Sequence, residues 1–230
     1  ADNGGAEASD GCSEVTWSHD FSGLSDDCGE TGSATVTFSA TDNCGNSTST
    51  TAIFTIEDKT APTLTDASDA TVECDGSGNA PELDAWLTSN GGATASDACS
   101  DVSWSNDFDS LSDDCGAAGA ATVIFTATDD CGNSSSTTAT FTIEDTTGPV
   151  ATVADLVDIP CAEYDPMVAY EASFVDACSG DDLTVVISDA PGAGGCLNVN
   201  QSWYIRTYTA TDACGNVTSL EQQVHLVDDI

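Results

Sequence analysis

Hydrophobic and polar positions alternate with a period of two along most of the chain. In Thr122-Val123-Ile124-Phe125-Thr126-Ala127-Thr128, the residues Val123, Phe125 and Ala127 share one face and threonines line the other. The stretch 138–143 does the same through Ala139, Phe141 and Ile143. Between them, Asp129-Asp130-Cys131-Gly132-Asn133-Ser134 is turn chemistry, so the two runs predict an antiparallel hairpin. Residues 35–41 and 51–56 predict another, and 70–74 and 102–104 read as further strands. Only Pro81-Glu82-Leu83-Asp84-Ala85-Trp86-Leu87 has helical spacing: Pro81 suits a first turn, Leu83, Trp86 and Leu87 form one apolar face, and Gly91-Gly92 stops it.

The pattern repeats. Cys12, Cys28 and Cys44 recur as Cys99, Cys115 and Cys131, all at an offset of 87 (99 − 12, 115 − 28, 131 − 44). Trp17, Phe38, Phe54 and Cys74 recur at the same offset as Trp104, Phe125, Phe141 and Cys161. A diverged third copy carries Cys178, Cys196 and Cys214. A period this long is a whole small domain, since solenoid units run at roughly 20–50 residues. Short alternating strands in such a unit predict an all-β chain of tandem immunoglobulin-like sandwiches, with copies at 1–57, 58–144 and 145–230. The first copy aligns from within the second, at Thr88, and so lacks its opening third. Two explanations stay open: the sequence begins inside a longer repetitive chain, or a neighbouring subunit donates the missing strand and its cysteine.

Charge narrows the function classes. Forty acidic residues face two basic ones, for a net charge of −38. A chain this negative repels nucleic acid and anionic membranes, and its own repulsion favours bound cations or salt. No apolar run reaches the roughly 18 residues of a membrane span, and a signal peptide, if there is one, lies outside these residues.

Eleven cysteines, none in a C-x-x-C pair, argue against zinc ribbons and for structural disulfides in an oxidising, extracellular compartment. Four cysteines per copy allow three connectivities. In an isolated sandwich, the loop before the third strand and the last hairpin lie at one end, which predicts Cys99–Cys131 and, at the other end, Cys74–Cys115. The equivalents are Cys12–Cys44, Cys178–Cys214 and Cys161–Cys196. Cys28 is left unpaired in these residues, its partner expected upstream.

Three strings form a recognisable cassette: Thr41-Asp42-Asn43-Cys44-Gly45-Asn46, Ala127-Thr128-Asp129-Asp130-Cys131-Gly132-Asn133 and Thr211-Asp212-Ala213-Cys214-Gly215-Asn216. Two are followed by a Thr-rich strand and by Ile56-Glu57-Asp58-Lys59-Thr60-Ala61-Pro62 or Ile143-Glu144-Asp145-Thr146-Thr147-Gly148-Pro149. The cassette resembles the hyalin-repeat family, immunoglobulin-like modules arrayed in large surface proteins of Bacteroidota. The resemblance implies export, commonly by the type IX pathway, and a stalk or adhesive-filament role. It departs from the family in having no cysteine in the last strand near Thr142.

The candidate chemistry is calcium. Ca²⁺ takes six to eight oxygens, and the copy junctions offer Glu57 and Asp58 against Asp97, Asp129, Asp130 and Asn133, then Glu144 and Asp145 against Asp176, Asp212 and Asn216. The competing reading is that Asp129 and Asn133 cap a turn and the other acids are simply solvated. Catalysis finds no support: His19 is replaced by Asn106 in the next copy and reads as a solvated loop residue. Among forty acids, paired carboxylates arise by chance. The chain is therefore expected not to be an enzyme. Asn46, Asn133 and Asn216 fall in N-x-[ST] triplets that a Gly-Asn turn before a Thr/Ser strand produces anyway, while Ser110 and Thr146 fit a loose Asp-Ser/Thr O-glycosylation pattern.

Two functions remain. One is a structural segment of an extracellular filament or stalk, partnered by neighbouring repeats or by copies of itself, stiffened by disulfides and Ca²⁺. The other is an adhesion module binding surface glycans or proteins. Such modules expose aromatic platforms, whereas Trp17, Trp104 and Trp203 sit on alternating strands and Trp86 on the helix face, which reads as core.

Overall fold

The computed structural model describes residues 2–165, 167–190 and 202–227. Among the described residues the chain is mostly strands, with one nine-residue α-helix and three short 3-10 turns, and its sheets take a sandwich-like arrangement, as the alternation predicts. It divides into two compact units. One comprises Ala1–Ala67, Ala93–Asn106 and Ile124–Thr137; the other Ser68–Gly92, Asp107–Val123 and Thr138–Ile230.

In the first unit, β1 (Val15–His19), β2 (Gly32–Asp42) and β3 (Ser47–Ile56) form an antiparallel sheet in that order. The predicted hairpin is β2–β3, with Phe38 opposite Thr50 and Val36 opposite Ala52. β4 (Thr63–Leu64) pairs with β6 (Ala95–Ser96) in a two-strand ladder. β5 (Ala70–Glu73) belongs to the second unit, where it runs parallel to β9 (Ser134–Glu144) with Ala70 opposite Phe141 and Val72 opposite Ile143. With β7 (Val102–Asn106) and β8 (Gly119–Asp129) these strands make the sheet β5-β9-β8-β7. Its inward positions are those of the sequence pattern: Val123, Phe125, Ala127, Ala139, Phe141 and Ile143 are all buried. Helix α1 (Ala80–Thr88) brackets the predicted stretch, with Pro81 in its first turn and Gly91 in the left-handed region just beyond. Trp86 seals it to the second unit's core, its ring 5.5 Å from Phe141 and its indole N–H donating to the Ser68 carbonyl at 3.0 Å.

The third copy supplies β10 (Val150–Val153), β11 (Leu156–Pro160), β12 (Ala172–Val175), β13 (Thr184–Asp189), β14 (Ser202–Thr211) and β15 (Val217–Val227). They form a β10–β12 pair and the sheet β11-β15-β14-β13, in which β11 is again parallel to its neighbour. Val157, Ile159, Tyr204, Val224 and Leu226 make its core. Arg206, fully buried in the same sheet, donates from Nε and Nη2 to Asp189 at 2.7 and 3.0 Å. Its guanidinium also faces the rings of Tyr164, Tyr170 and Tyr204. Hydrogen bonding and charge thus compensate an ion that would otherwise be costly to bury.

The cysteine pairing differs from the expectation. The bonds are Cys28–Cys131, Cys74–Cys178 and Cys115–Cys214, at sequence separations of 103, 104 and 99. Each exceeds the 87-residue period, so each joins one copy to the next. This replaces the expected Cys99–Cys131, Cys74–Cys115, Cys178–Cys214 and Cys12–Cys44, and it gives Cys28 a partner within the chain. Cys12, Cys44 and Cys99 are free thiols among the described residues. Cys161 is disulfide-bonded, while Cys196 of the expected Cys161–Cys196 pair lies outside the described residues.

The physical reason lies in the glycines beside the bonded cysteines. Gly29, Gly76 and Gly116 all have positive φ, and a Cβ at each would collide with the backbone of Cys99, Ala177 and Cys178 respectively. The glycines let the next copy's chain come close enough to be bonded: the amides of Glu30 and Ala117 donate to the carbonyls of Cys99 and Cys178 at 2.8 and 3.1 Å. A connectivity drawn for an isolated sandwich omits this neighbour.

The tryptophans also depart from expectation. Trp86 is core, but Trp17 and Trp104 are only half-buried, and Trp203 is 55% exposed with its ring stacked 4.0 Å from His225. His19 is exposed, as expected, but ends β1 instead of lying in a loop.

Candidate functional site

Two corners of equivalent sequence carry the acidic side chains, one in each unit. Both are built on the turn after a long strand. In Asp129-Asp130-Cys131-Gly132-Asn133, Gly132 takes φ +89° and the Asn133 amide donates to Asp129 Oδ1 at 2.8 Å. In Asp212-Ala213-Cys214-Gly215-Asn216, Gly215 takes φ +92° and the Asn216 amide donates to Asp212 Oδ1 at 2.8 Å. The turn therefore holds its own aspartate and presents its cysteine for bonding. The asparagine side chain reaches further: Asn133 Nδ2 donates to the Asp58 carbonyl at 3.3 Å, and Asn216 Nδ2 to the Asp145 carbonyl at 3.0 Å. All three asparagines at the triplets flagged for N-glycosylation have structural partners for their side-chain amides: Asn46, though exposed, donates from Nδ2 to Asp42 Oδ2 at 2.8 Å.

The second unit's corner gathers three carboxylates. One oxygen each from Asp145, Asp176 and Asp212 lie within 4.8 Å of one another. Asp176 and Asp212 are buried and Asp145 half-buried. Asp176 Oδ1 accepts the amides of Cys178 and Ser179 at 2.9 and 2.8 Å. Oδ2 of Asp145 and Oδ2 of Asp212 are buried without a hydrogen-bond partner. Burial first, then the charges of Asp176 and Asp212, push Asp145 above the usual aspartate range, against a hydrogen bond from Thr147. Two unit charges near this spacing repel by about 3.5 kcal/mol at an effective dielectric near 20, so a cation is the natural complement. Hard oxygen donors of this kind suit Ca²⁺.

The first unit's corner is similar but not identical. Asp58, Asp97 and the Cys99 thiol lie within 4.8 Å of one another, and Asp58 Oδ2 is buried and unpartnered. The third carboxylate is occupied: Asp129 Oδ2 accepts from Asn133 Nδ2 at 2.8 Å. Although burial works the other way, the Asn133 hydrogen bonds hold Asp129 below the usual aspartate value. Burial, then the charges of Asp58 and Asp97, raise the Cys99 thiol. Of the remaining candidates, Glu57 is exposed and pairs with Lys59, and Asp130 and Glu144 are exposed outside both clusters. The sequence candidates include both clusters, but the acid count did not separate the three-carboxylate set from its neighbours.

The Thr146 hydroxyl, flagged for O-glycosylation, donates to Glu73 Oε2 at 2.8 Å and its amide to Oε1 at 2.9 Å. Those hydrogen bonds hold Glu73 below its ordinary value. Ser110 is exposed between β7 and β8.

The chain matches no family model and no curated protein. Among solved structures it is similar to protocadherin gamma B2 extracellular cadherin domains 3–6 (14% identity, TM-score 0.34, covering 86% of this chain and 59% of that one). It is also similar to Drosophila N-cadherin EC1–4, at 13% identity and TM-score 0.35, with 89% of this chain and 59% of that one covered.

Proposed function

We propose that the chain is a structural repeat segment of an extracellular filament or stalk, in which each copy is covalently bonded to the next. The observation that carries this reading is the pairing of equivalent cysteines, Cys28 with Cys131 and Cys115 with Cys214, across more than one sequence period. Disulfides at this density suit an oxidising compartment outside the cell. The hyalin-repeat resemblance of the turn cassettes supports the same reading and a surface location. Asp145, Asp176 and Asp212 hold Ca²⁺, which cancels their repulsion and stiffens that corner; Asp58 and Asp97 form a weaker equivalent. No residue of this scheme has a catalytic role.

The test exploits the two basic residues. Trypsin cleaves after Lys59 and Arg206, giving the fragments 1–59, 60–206 and 207–230. After denaturation and digestion without reductant, the three fragments stay joined, because Cys28–Cys131 links the first pair and Cys115–Cys214 the second. Release of 1–59 before reduction refutes copy-to-copy bonding.

One observation favours a second reading, an adhesion module. Trp203 is exposed and lines a cavity of about 500 Å³ with Tyr204, Ile205 and Gln223, the kind of aromatic platform that binds sugars or protein side chains. A glycan array read with the chain and with Trp203→Ala decides it: binding lost in the variant supports adhesion.

A further inference from the structure

We infer that the corner holding Cys178 and Cys214 is a thiol–disulfide exchange site, at which Cys74–Cys178 and Cys115–Cys214 trade partners to give Cys74–Cys115 and Cys178–Cys214. The inference rests on the copy-to-copy reading above and deepens it by naming how the link between the second and third copies is released.

All four cysteines belong to the second unit, and three observations bring their sulfurs together. The Sγ atoms of Cys178 and Cys214 lie within 4.8 Å of each other and of an Asp145 carboxylate oxygen, although each is bonded to a different partner. The loops that carry them are tied beside the sulfurs, where the Ala213 amide donates to Ser179 Oγ at 3.2 Å. Their partners reach the same short stretch of backbone. A Cβ at Gly76, two residues after Cys74, would meet the Ala177 carbonyl, and one at Gly116, directly after Cys115, would meet the Cys178 carbonyl. The Ala117 amide donates to Cys178 Sγ at 3.3 Å. Two disulfides with neighbouring sulfurs have a short path to exchange, because a thiolate freed from one bond sits against the other.

Exposure sets the entry point. Cys74 and Cys178 are buried, at 6% and 7% exposed, whereas Cys115 and Cys214 are half-buried. At Cys214 the Asp145 carboxylate repels an incoming thiolate, so a small thiol enters at Cys115.

The small thiolate attacks Cys115 Sγ, forms a mixed disulfide there, and expels the Cys214 thiolate with the electron pair of the broken bond. Cys214 Sγ attacks Cys178 Sγ, which forms Cys178–Cys214 and expels the Cys74 thiolate. Cys74 Sγ then attacks Cys115 Sγ in the mixed disulfide, forming Cys74–Cys115 and expelling the small thiolate, which regains the proton it lost at the start. Two disulfides are broken and two are formed, so the small thiol acts as a catalyst and no oxidant or reductant is consumed. The new bonds span 41 and 36 residues (115 − 74 and 214 − 178), within a single period, so neither joins the second copy to the third.

The experiment uses the 230-residue chain with its exposed thiols capped by N-ethylmaleimide. It is incubated with glutathione at about a tenth of the protein concentration, quenched in acid and digested with pepsin without reductant. The expected result is that peptides linked through Cys178–Cys214 and through Cys74–Cys115 rise together, at least tenfold over a thiol-free sample, while total free thiol stays constant. The variant Cys74→Ser isolates the middle step, because it leaves Cys178 as a thiol beside Cys115–Cys214. With no thiol added, the free sulfur moves from Cys178 to Cys115, as alkylation and peptide mapping read out, at a rate independent of protein concentration. Mixed disulfides or free thiols in place of the new pairs overturn the inference. So does a rate proportional to protein concentration, or alkylation at Cys178 in the variant with Cys115–Cys214 intact. The untreated chain keeps the two readings apart. If it carries Cys74–Cys178 and Cys115–Cys214 and glutathione changes neither, only this inference fails. If it carries Cys74–Cys115 and Cys178–Cys214 before any thiol is added, the copy-to-copy reading fails with it.

Discussion

Removing the Cys28–Cys131 bond is the most informative single perturbation, because the first unit has no other disulfide among the described residues. The bond closes a sequence separation of 103 residues. In the chain-entropy treatment, a loop of that length destabilises the unfolded state by about 4.7 kcal/mol, against roughly 3 for a loop near 15 residues. The double variant Cys28→Ser/Cys131→Ser avoids leaving a reactive thiol, and both hydroxyls fit where the sulfurs were. Urea unfolding is the assay, followed by tryptophan fluorescence, with Trp17 and Trp104 reporting on the first unit and Trp86 on the second. The expected result is two transitions, with the first unit's unfolding free energy lowered by about 3–5 kcal/mol and the second unit's unchanged. For a domain of 60–100 residues, such a loss lowers the melting temperature by roughly 20 °C. A midpoint within a few degrees of the parent refutes the argument, since it means that the bond constrains nothing in the unfolded chain. An equal loss in both transitions refutes the assignment of Cys28–Cys131 to one unit.

In calcium-free buffer, Asp212→Asn raises thermal stability by removing one of three clustered charges, and it abolishes the upward shift that Ca²⁺ gives the parent, about 2.7 kcal/mol at a hundredfold excess over Kd; an equal shift with Mg²⁺ or NaCl means only screening. Arg206→Met leaves Asp189 half of a buried pair and costs the second unit about 3–5 kcal/mol in urea unfolding, with no effect on the first. Although burial opposes it, hydrogen bonds from Arg206 and Tyr164 hold Asp189 below its ordinary value. Its contribution is therefore present above about pH 4 and lost as pH falls through the lower folded value, which a pH series of unfolding free energies from 5 to 2 detects.

The strands were legible because alternation is a local property of the chain. Val123, Phe125, Ala127, Phe141 and Ile143 needed only their neighbours to declare a face, and the helix at Trp86 needed only Pro81 and Gly91. The cysteine partners were not legible in the same way, since S–S bonding joins residues about a hundred apart and the period alone permits closure within a copy or across copies. A signal was present in Cys28-Gly29 and Cys115-Gly116: a glycine directly after the cysteine, away from the hairpin turns, marks a backbone that another chain segment must approach. Trp203 was misplaced because alternation assigns a face but does not say whether that face is covered. At the acidic corners nothing in the local sequence distinguishes Asp212, whose second oxygen is unpartnered, from Asp129, whose second oxygen is held by Asn133.

The crossing of the two equivalent bonds has a mechanical consequence. The bond from Cys115 starts before the bond to Cys131 has ended, so the two loops overlap in sequence. The shortest covalent route from Cys28 to Cys214 runs through one sulfur bridge to Cys131, back along the main chain to Cys115, and through the other bridge. Tension applied at the termini is carried along that route whether or not the sandwiches remain folded. The main-chain stretch 115–131 extends to roughly 55 Å at most, which limits how far Cys28 and Cys214 can be drawn apart. A reductant lengthens the main-chain part of this tether more than tenfold, from the 16-residue step between Cys115 and Cys131 to the 186-residue step between Cys28 and Cys214 (131 − 115 and 214 − 28), so in a pulling experiment the contour released at rupture reports the redox state of the two bridges.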